Sequence, residues 1–375
     1  MSISGGIMTV MLQSQAFEPS NQGKKNEGII NDGSTSDPLS NEQSLKLTDM
    51  ASYDYYFDGY SQLGIHEEML KDSIRTSAYR DSILHNKHLF KDKIVLDVGC
   101  GTGILSMFAA KAGAKHVYGV DMSRIITQAE TFVNDNGFSD CITLIQGKIE
   151  NIELPVEKVD IIVSEWMGYC LFYESMLDSV IFARDKWLKP STGLMFPDKA
   201  KLYIRGIEDR KYKDECFDWW DDVYGFDMSS IKKCILSHPV VDVIEKTKGV
   251  TNTCILKEVD LQTCKKEEIP FENTFKCRMK RNDYLNAFVT FFDIRFTKCH
   301  KKVGFTTAPE APYTHWKQTI FYLDSCITAL KGEEFTGTFV MKQNQQNHRS
   351  LDFEIDVRFQ GELDHFAEKM FYTMK

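Results

Sequence analysis

An apolar strand that leads directly into a glycine-rich turn constrains the fold of this chain more than any other feature. The segment 94–103 reads IVLDVGCGTG, with glycine at the alternate positions 99, 101 and 103. Glycine lets a backbone turn with positive φ and approach a ligand closely. A second apolar strand ends on Asp121, about 20 residues after the turn, where an acid can accept hydrogen bonds from ribose hydroxyls. The pattern predicts a βαβ unit that binds a nucleoside-containing cofactor.

Strands and helices alternate along the segment that contains this turn, up to Pro190. The alternation predicts a Rossmann-like, doubly wound α/β sheet. After about Gly193 apolar and polar residues alternate one by one, as in 351–359, which predicts a mostly antiparallel, β-barrel-like domain. The predicted strands are 94–98, 116–121, 142–145, 159–164, 288–296, 317–323 and 351–359.

Composition divides the chain into three parts. Residues 1–48 are rich in Ser, Asn, Gln and Gly, so we expect a disordered tail. Residues 49–193 are predicted to contain N-terminal helices, with a break near Gly64, and then the Rossmann-like domain. Residues 194–375 are predicted to form the β domain with a helical arm at about 208–235. The start of that arm, 208–227, combines aromatic residues with eight acids, which suits either a surface that packs on a partner or a surface helix of its own domain.

Bulk properties narrow the class of protein. The net charge is −9, which argues against broad contact with nucleic-acid phosphates and is compatible with a basic substrate. The ten cysteines form no C-x-x-C pair, so we expect reduced thiols, a cytoplasmic and nuclear location, and no metal site. No run of 18 apolar residues occurs, so we expect no membrane span.

The glycine turn favours S-adenosylmethionine over a dinucleotide. Gly99, Gly101 and Gly103 are followed by Ser106, without the third glycine that packs a dinucleotide-binding helix on its strand. Asp97 stands immediately before the turn. A nicotinamide oxidoreductase is therefore disfavoured, and we assign Asp97, the three glycines and Asp121 to the cofactor site.

A second motif indicates the chemical nature of the other substrate. The segment 164–174 reads SEWMGYCLFYE and follows a predicted sheet strand, at the end where open α/β sheets bind ligands. If this loop folds back as a hairpin, Glu165 and Glu174 can face one point. Two carboxylates match the planar fork of donors on a guanidinium. The loop therefore predicts an arginine clamp.

The chain resembles the type I protein arginine N-methyltransferases over residues 53–375. Four segments carry the resemblance: YFDGY at 56–60, VLDVGCGTG at 95–103, the loop 164–174, and YTHW at 313–316. The resemblance implies methyl transfer from S-adenosylmethionine to arginine in proteins such as histones and Arg/Gly-rich RNA-binding proteins, with mono- and asymmetric dimethylarginine as products. It also implies a homodimer formed through the 208–235 arm.

The resemblance assigns roles to individual residues. Glu165 and Glu174 hold the substrate guanidinium, with the pair His315 and Asp72 near the reaction centre. The cofactor contacts implied are Tyr60, His66, Arg75 for the methionine carboxylate, Asp121 for the ribose and Glu150 for the adenine amino group. The substrate contacts implied are Tyr56, Met69, Met176 and Trp316.

Three points stay open on the sequence. Asp121 stands where the family pattern more often shows Glu, which predicts a modest change in cofactor affinity. The proton that leaves the guanidinium can pass to Glu174 or to the His315–Asp72 pair. A methyltransferase with another substrate and a non-catalytic scaffold are the alternative functions, although both clamp glutamates and the glycine turn are intact.

Overall fold

A computed structural model describes residues 56, 57 and 59–375, and the predicted tail, residues 1–48, lies outside the described residues. A parallel sheet of five strands has the order β3-β2-β1-β4-β5. These strands are β1 Ile94–Val98, β2 His116–Asp121, β3 Ile142–Gln146, β4 Ile161–Val163 and β5 Leu194–Phe196. The strand order reverses between β1 and β4, and ligands bind at such a switch point outside the carboxyl ends of the strands.

Helices precede and connect these strands. They are α1 Leu63–Lys71, α2 Ser73–Leu84, α3 Lys87–Phe90, α4 Ile104–Lys111, α5 Ile125–Asp135 and α6 Met176–Trp187. The predicted break near Gly64 is present at residues 60–62, immediately before α1, and a second break lies at Asp72. Gly64 has no tertiary neighbour within 4 Å of a built Cβ. The side chain of Asp72 accepts a hydrogen bond from the backbone N–H of Arg75, which starts α2.

The C-terminal half is antiparallel, which confirms the predicted fold class. One sheet has the order β7-β12-β10-β6-β8, with β11 paired to β10, and the other has the order β15-β14-β13-β9. The strands are β6 Lys199–Ile207, β7 Val240–Asp242, β8 Cys254–Asp260, β9 Phe271–Arg278, β10 Asp283–Phe296, β11 Val303–Thr306, β12 Gln318–Ala329, β13 Glu334–Gln343, β14 Leu351–Gln360 and β15 His365–Met374. The predicted domain boundary at Gly193 lies before β5, so the parallel sheet continues three residues further, to Phe196.

An aromatic core joins the two antiparallel sheets. The ring of Phe321 on β12 lies 5.7 Å from that of Phe339, 5.0 Å from that of Phe353 and 5.1 Å from that of Tyr372, which belong to β13, β14 and β15. Buried residues of the parallel sheet and of both antiparallel sheets form one continuous hydrophobic cluster. The domains are therefore packed together, and loops of the second domain can reach the switch point of the first.

The acidic, aromatic segment after β6 is helical in the region where the sequence predicts an arm. It contains α7 Arg210–Cys216, two short 3-10 helices, Asp218–Asp221 and Ser229–Ile231, and α8 Lys232–Leu236. Its base packs on its own domain, where Phe217 is buried beside Tyr322. Its tip exposes apolar side chains: Trp219, Tyr224, Phe226, Met228 and Ile231.

Two further sequence expectations concern bulk features. All ten cysteines lie among the described residues, and none forms a disulfide. Within residues 56, 57 and 59–375, no helix has the length and apolar character needed to cross a membrane.

Candidate active site

A cavity lies at the switch point, between the carboxyl ends of β1 and β4. It is bounded by the glycine turn, by the loop between the two glutamates, by the N-terminal helical segment and by loops of the β domain. The sequence-predicted residues that line it are Tyr56, Tyr60, His66, Met69, Arg75, Gly99, Gly101, Asp121, Glu150, Glu165, Glu174, Met176, His315 and Trp316. Asp72, Asp97 and Gly103 lie just outside it.

The glycine turn requires glycine at each of its three positions. Gly99, Gly101 and Gly103 have φ values of 71°, 51° and 77°, which side chains with a Cβ rarely adopt. A Cβ at Gly99 would overlap the terminal methyl of Met176, and one at Gly101 would lie 3.2 Å from the ring of His66. The turn therefore lets Met176 and His66 border the floor of the cavity.

His66 closes one side of the cavity as a neutral ring. Burial lowers its pKa, although a backbone hydrogen bond to Tyr60 opposes this shift. Its Nε2 lies 2.7 Å from the carbonyl oxygen of Tyr60, and it must carry the proton there, because the carbonyl can only accept. In the neutral ring Nδ1 is then the acceptor, and it faces Gly101.

Asp121 joins β2 to the glycine turn. Its Oδ2 accepts a hydrogen bond from the backbone N–H of Gly101 at 2.9 Å, and its Oδ1 accepts from the N–H and hydroxyl of Ser123 at 2.8 and 2.6 Å. A carboxylate oxygen can accept more than one hydrogen bond. Asp121 can therefore position the turn and also accept from a diol in the cavity.

Asp97 lies beneath the glycine turn and does not line the cavity. Burial raises its pKa to about 7, against the opposing effect of a hydrogen bond from Ser106. The Ser106 hydroxyl donates to Oδ2 at 2.7 Å, while Oδ1 is buried without a partner among the described residues. Asp97 therefore ties α4 to the end of β1.

Glu150 presents an unused acceptor at the far end of the cavity. Its Oε1 accepts a hydrogen bond from the hydroxyl of Ser179 at 2.7 Å. Its Oε2 is buried with no partner in the described part of the chain. A buried carboxylate oxygen of this kind is costly unless a ligand donor satisfies it.

The loop between the glutamates folds back as the sequence analysis expected. Gly168 and Leu171 form an antiparallel bridge, and a Cβ at Gly168 would overlap the carbonyl group of Tyr173. The indole N–H of Trp316, from the β domain, donates to the carbonyl oxygen of Met167 at 2.8 Å. The hairpin brings Glu165 and Glu174 to the same cavity. Burial raises the pKa of Glu174, and the charge of Glu165 adds a smaller upward effect.

Glu165 forms a buried ion pair with Arg75. The Nε of Arg75 donates to Oε2 of Glu165 at 2.9 Å, and both side chains are 8% exposed. The other oxygen, Oε1, is buried with no partner among the described residues. Glu165 thus already holds one guanidinium and keeps an acceptor for a second donor.

Glu174 is held by phenols. The hydroxyls of Tyr56 and Tyr60 donate to its Oε2 at 3.0 and 2.8 Å. Burial raises the pKa of Glu174, although these two hydrogen bonds and the cation of Arg349 oppose the shift. Burial, followed by the charge of Glu174, also raises the pKa values of both tyrosines, so they remain donors.

Asp72 and His315 meet across the domain boundary. Oδ2 of Asp72 lies 2.8 Å from Nδ1 of His315 and accepts from its backbone N–H at 2.9 Å. Burial raises the pKa of Asp72, but hydrogen bonds from His315 and from the N–H of Arg75 outweigh it and hold the pKa below its usual value. Asp72 therefore orients a histidine that lines the cavity.

Sequence reasoning missed two contacts of the site. Ser179 binds Glu150 from α6, and Arg349 binds Glu174 from the loop between β13 and β14. Arg349 lies 175 residues after Glu174, in a polar turn that carries no motif. No group of three or more metal-binding side chains occurs in the described part of the chain.

Comparisons with known proteins match both halves of the chain. Residues 95–191 match a family model described as a methyltransferase domain, and residues 198–362 match one described as the arginine methyltransferase oligomerization subdomain. Protein arginine N-methyltransferase 8-B of Danio rerio is 57% identical over 331 residues, which are 88% of this chain and 79% of the relative. The chain belongs to the protein arginine N-methyltransferase family.

Two further relatives support this membership. Protein arginine N-methyltransferase 1 of Caenorhabditis elegans is 55% identical over 87% of this chain and 94% of its own. A solved structure, the Trypanosoma brucei PRMT1 enzyme–prozyme heterotetrameric complex with AdoHcy, matches with a TM-score of 0.82 and 46% identity over 84% of this chain and 99% of that chain. They confirm the resemblance to type I protein arginine N-methyltransferases, and the chain carries the oligomerization subdomain of that family.

Proposed function

We propose that this chain transfers the methyl group of S-adenosylmethionine to a guanidino nitrogen of arginine in proteins, giving mono- and asymmetric dimethylarginine. The observation that carries this proposal is the pair Glu165 and Glu174, brought together by a hairpin at the edge of a nucleoside cavity. Each holds protein donors on its Oε2. A guanidinium with donors in two directions is the group that such a pair binds best.

The residues of the cavity fit S-adenosylmethionine. The unpartnered Oε2 of Glu150 suits the adenine amino group, Asp121 suits the ribose hydroxyls, and the Arg75 guanidinium suits the methionine carboxylate. The glycine turn allows close approach of the ligand. When bound, this cofactor supplies a methyl group activated by a positively charged sulfur.

The protein must make the guanidinium a nucleophile. A guanidinium keeps its proton at ordinary pH and its lone pairs are delocalised. Carboxylates on either side orient one terminal nitrogen and favour positive charge on the rest of the group. We propose Glu174 as the proton acceptor, because its raised pKa makes it a stronger base than an ordinary carboxylate, with His315 and Asp72 holding the reaction centre.

We propose that the active form is a homodimer joined through the 208–235 arm. The five apolar side chains exposed at the arm tip support this proposal, because a partner surface would remove them from water. We further propose Arg/Gly-rich protein tails and histones as substrates, since the net charge of −9 attracts basic segments. Ten unpaired thiols support a cytoplasmic and nuclear location.

Product analysis tests the reaction. The full chain is incubated with isotopically labelled S-adenosylmethionine and an Arg/Gly-rich peptide, with the same peptide carrying Lys in place of Arg as the matched control. We expect label only in the arginine peptide. Fragmentation of the labelled product in the mass spectrometer should identify asymmetric dimethylarginine. Symmetric dimethylarginine would refute the product type, and label absent from arginine would refute the proposed activity.

A further inference from the structure

The loop between β13 and β14 reaches from the β domain back to the clamp. Arg349 in this loop accepts a hydrogen bond on its carbonyl oxygen from the N–H of Glu174 at 2.9 Å. Its Nη1 donates to the carbonyl oxygen of Glu174 at 2.8 Å. The neighbouring carbonyl oxygen, of His348, accepts a hydrogen bond from the Ser175 hydroxyl at 2.6 Å.

These contacts act on backbone that is held in an uncommon conformation. Glu174 and Ser175 have φ values of 75° and 57°, in the left-handed region that costs residues with a Cβ free energy. Such a conformation persists only where the surroundings fix it. The loop that carries Arg349 provides part of that fixation, so the direction in which the Glu174 side chain leaves the backbone depends on the β domain.

The same guanidinium also contacts the N-terminal segment that closes the cavity. The central carbon of the Arg349 guanidinium lies 3.7 Å from the ring centroid of Tyr56 and 5.1 Å from that of Phe57. A cation over an aromatic face at this distance is attracted by the ring. Tyr56 in turn donates to the carboxylate of Glu174, so Arg349, Tyr56 and Glu174 form a closed set of contacts across three parts of the chain.

The positive charge of Arg349 also affects the pKa of the Glu174 carboxyl group. Arg349 lowers the pKa of Glu174, whereas burial and the charge of Glu165 raise it. Tyr56 and Tyr60 donate to the carboxylate. Burial first, and then nearby charges that include Glu174, raise the pKa values of these two tyrosines and of Tyr169 and Tyr173 above 10. These tyrosines remain neutral across the acid range, so Arg349 is the cation that lowers the pKa of Glu174, while Arg75 in the same cavity is paired with Glu165.

We propose that Arg349 is a positioning residue that couples the placement of Tyr56 and Tyr60 over the cavity to the orientation and charge of Glu174. The proposal rests on the proposed function, because Glu174 is assigned to hold the substrate arginine. It makes the β domain a determinant of arginine binding, through one cation that contacts the closing segment and the clamp together.

Two substitutions separate the two effects of this cation. Arg349→Gln removes the charge, and Arg349→Lys keeps the charge but loses the planar group that stacks on Tyr56. Arg358→Gln is the matched control, because the Arg358 side chain lies on β14, is 74% exposed and forms a surface ion pair with Asp356. Circular dichroism and thermal melting establish that each variant is folded.

Three readouts follow from the geometry. For Arg349→Gln we expect kcat/KM for an Arg/Gly-rich peptide to fall by about tenfold or more, mainly through KM, since a cation–π contact and a hydrogen bond are lost. We expect the acid limb of its pH profile to move up by about one unit, because Glu174 loses its stabilising cation. Calorimetry should show weaker S-adenosylhomocysteine binding, by about three- to tenfold, because the closing segment is released.

Arg349→Lys tests the same contacts while keeping the positive charge, so it can be measured even if Arg349→Gln is unstable. Arg349→Lys should keep the acid limb near that of the wild type and still bind S-adenosylhomocysteine weakly. An unmoved acid limb in Arg349→Gln, or wild-type product affinity in Arg349→Lys, would overturn the inference. Failure of the proposed function is distinguishable, because the wild-type chain would then produce no methylarginine while still giving a calorimetric signal.

Discussion

At the scale of residues, the two clamp glutamates differ in the groups that already bind them. Glu165 is neutralised by the buried guanidinium of Arg75, whereas Glu174 accepts hydrogen bonds from two phenols and is partly balanced by Arg349. A buried ion pair fixes charge and direction firmly, and phenols leave more negative charge on the carboxylate. The geometry therefore favours Glu165 as the anchor for the substrate cation and Glu174 as the base.

Asp72 gives a prediction about pH and stability. Its pKa is depressed in the folded protein, so its stabilising contribution is present above the unfolded value of about 3.9 and is lost as pH falls through the folded value. Asp72→Asn should lower the free energy of unfolding at pH 7 by about 1–3 kcal/mol, because a charged hydrogen bond to His315 is lost. Urea unfolding measures the difference, which should shrink below pH 4.

Asp81→Asn serves as the control for this measurement. Asp81 lies on α2, the helix that Asp72 caps, is 31% exposed and pairs with Arg80 at the surface, where ion pairs contribute little. A similar loss in both variants, or a difference between Asp72→Asn and wild type that does not change with pH, would contradict the role given to Asp72.

At the scale of elements, the glycine turn is the part that the sequence described best. Strand β1, the glycine turn and Asp121 could all be predicted from the sequence. The spacing of apolar residues and the requirement for glycine are local properties of the chain. The helix break near Gly64 was also predicted from the sequence and lies at residues 60–62, whereas the second break, where Asp72 caps α2, was not predicted. Arg349 gave no signal, because its role depends on packing between domains.

Substitution of Gly99 tests the close approach at this turn. Gly99→Ala should weaken S-adenosylhomocysteine binding by at least about tenfold, because the added methyl displaces Met176 at the cavity floor. Gly137→Ala is the control, because Gly137 has nearly the same φ, 73°, but nothing within 4 Å of a built Cβ. Both should lose about 1 kcal/mol of stability. Equal product affinity in the two variants, measured by calorimetry, would exclude a specific role for the close approach.

At the scale of the whole molecule, one core spans both domains while the arm tip leaves apolar surface exposed. The sequence showed the arm by its aromatic and acidic composition, but could not decide between a partner and its own domain. The structure divides the segment, because Phe217 is buried at the base and Phe226 is 68% exposed at the tip. The exposed tip is the part that the proposed dimer would cover.

The dimer proposal predicts that substitutions at the arm tip lower the mass of the particle in solution from that of a dimer toward that of a monomer. The double variant Trp219→Ala/Phe226→Ala should weaken dimerisation by at least about tenfold, because aromatic side chains dominate interface energies. Sedimentation velocity across a concentration series measures the shift toward monomer. Phe371→Ala, which removes a side chain 63% exposed on β15, should leave the mass unchanged. An unchanged mass in the tip variant would exclude the arm as the interface.

The acidic surface predicts salt-dependent substrate binding. The KM for an Arg/Gly-rich peptide should rise as salt increases from about 0.05 to 0.5 M, because screening weakens long-range attraction. The internal control is the KM for S-adenosylmethionine, whose buried site is screened less. A peptide KM that does not change with salt would show that the net charge of −9 has no part in recognition.

The most direct test of the central claim separates cofactor binding from methyl transfer at Glu165. In Glu165→Gln the shape of the clamp is kept and its charge is lost, so we expect turnover on an Arg/Gly-rich peptide to fall by at least about a thousandfold, while calorimetry shows S-adenosylhomocysteine affinity within about tenfold of wild type. Turnover retained near the wild-type rate would contradict the assignment of Glu165 and Glu174 as the arginine clamp.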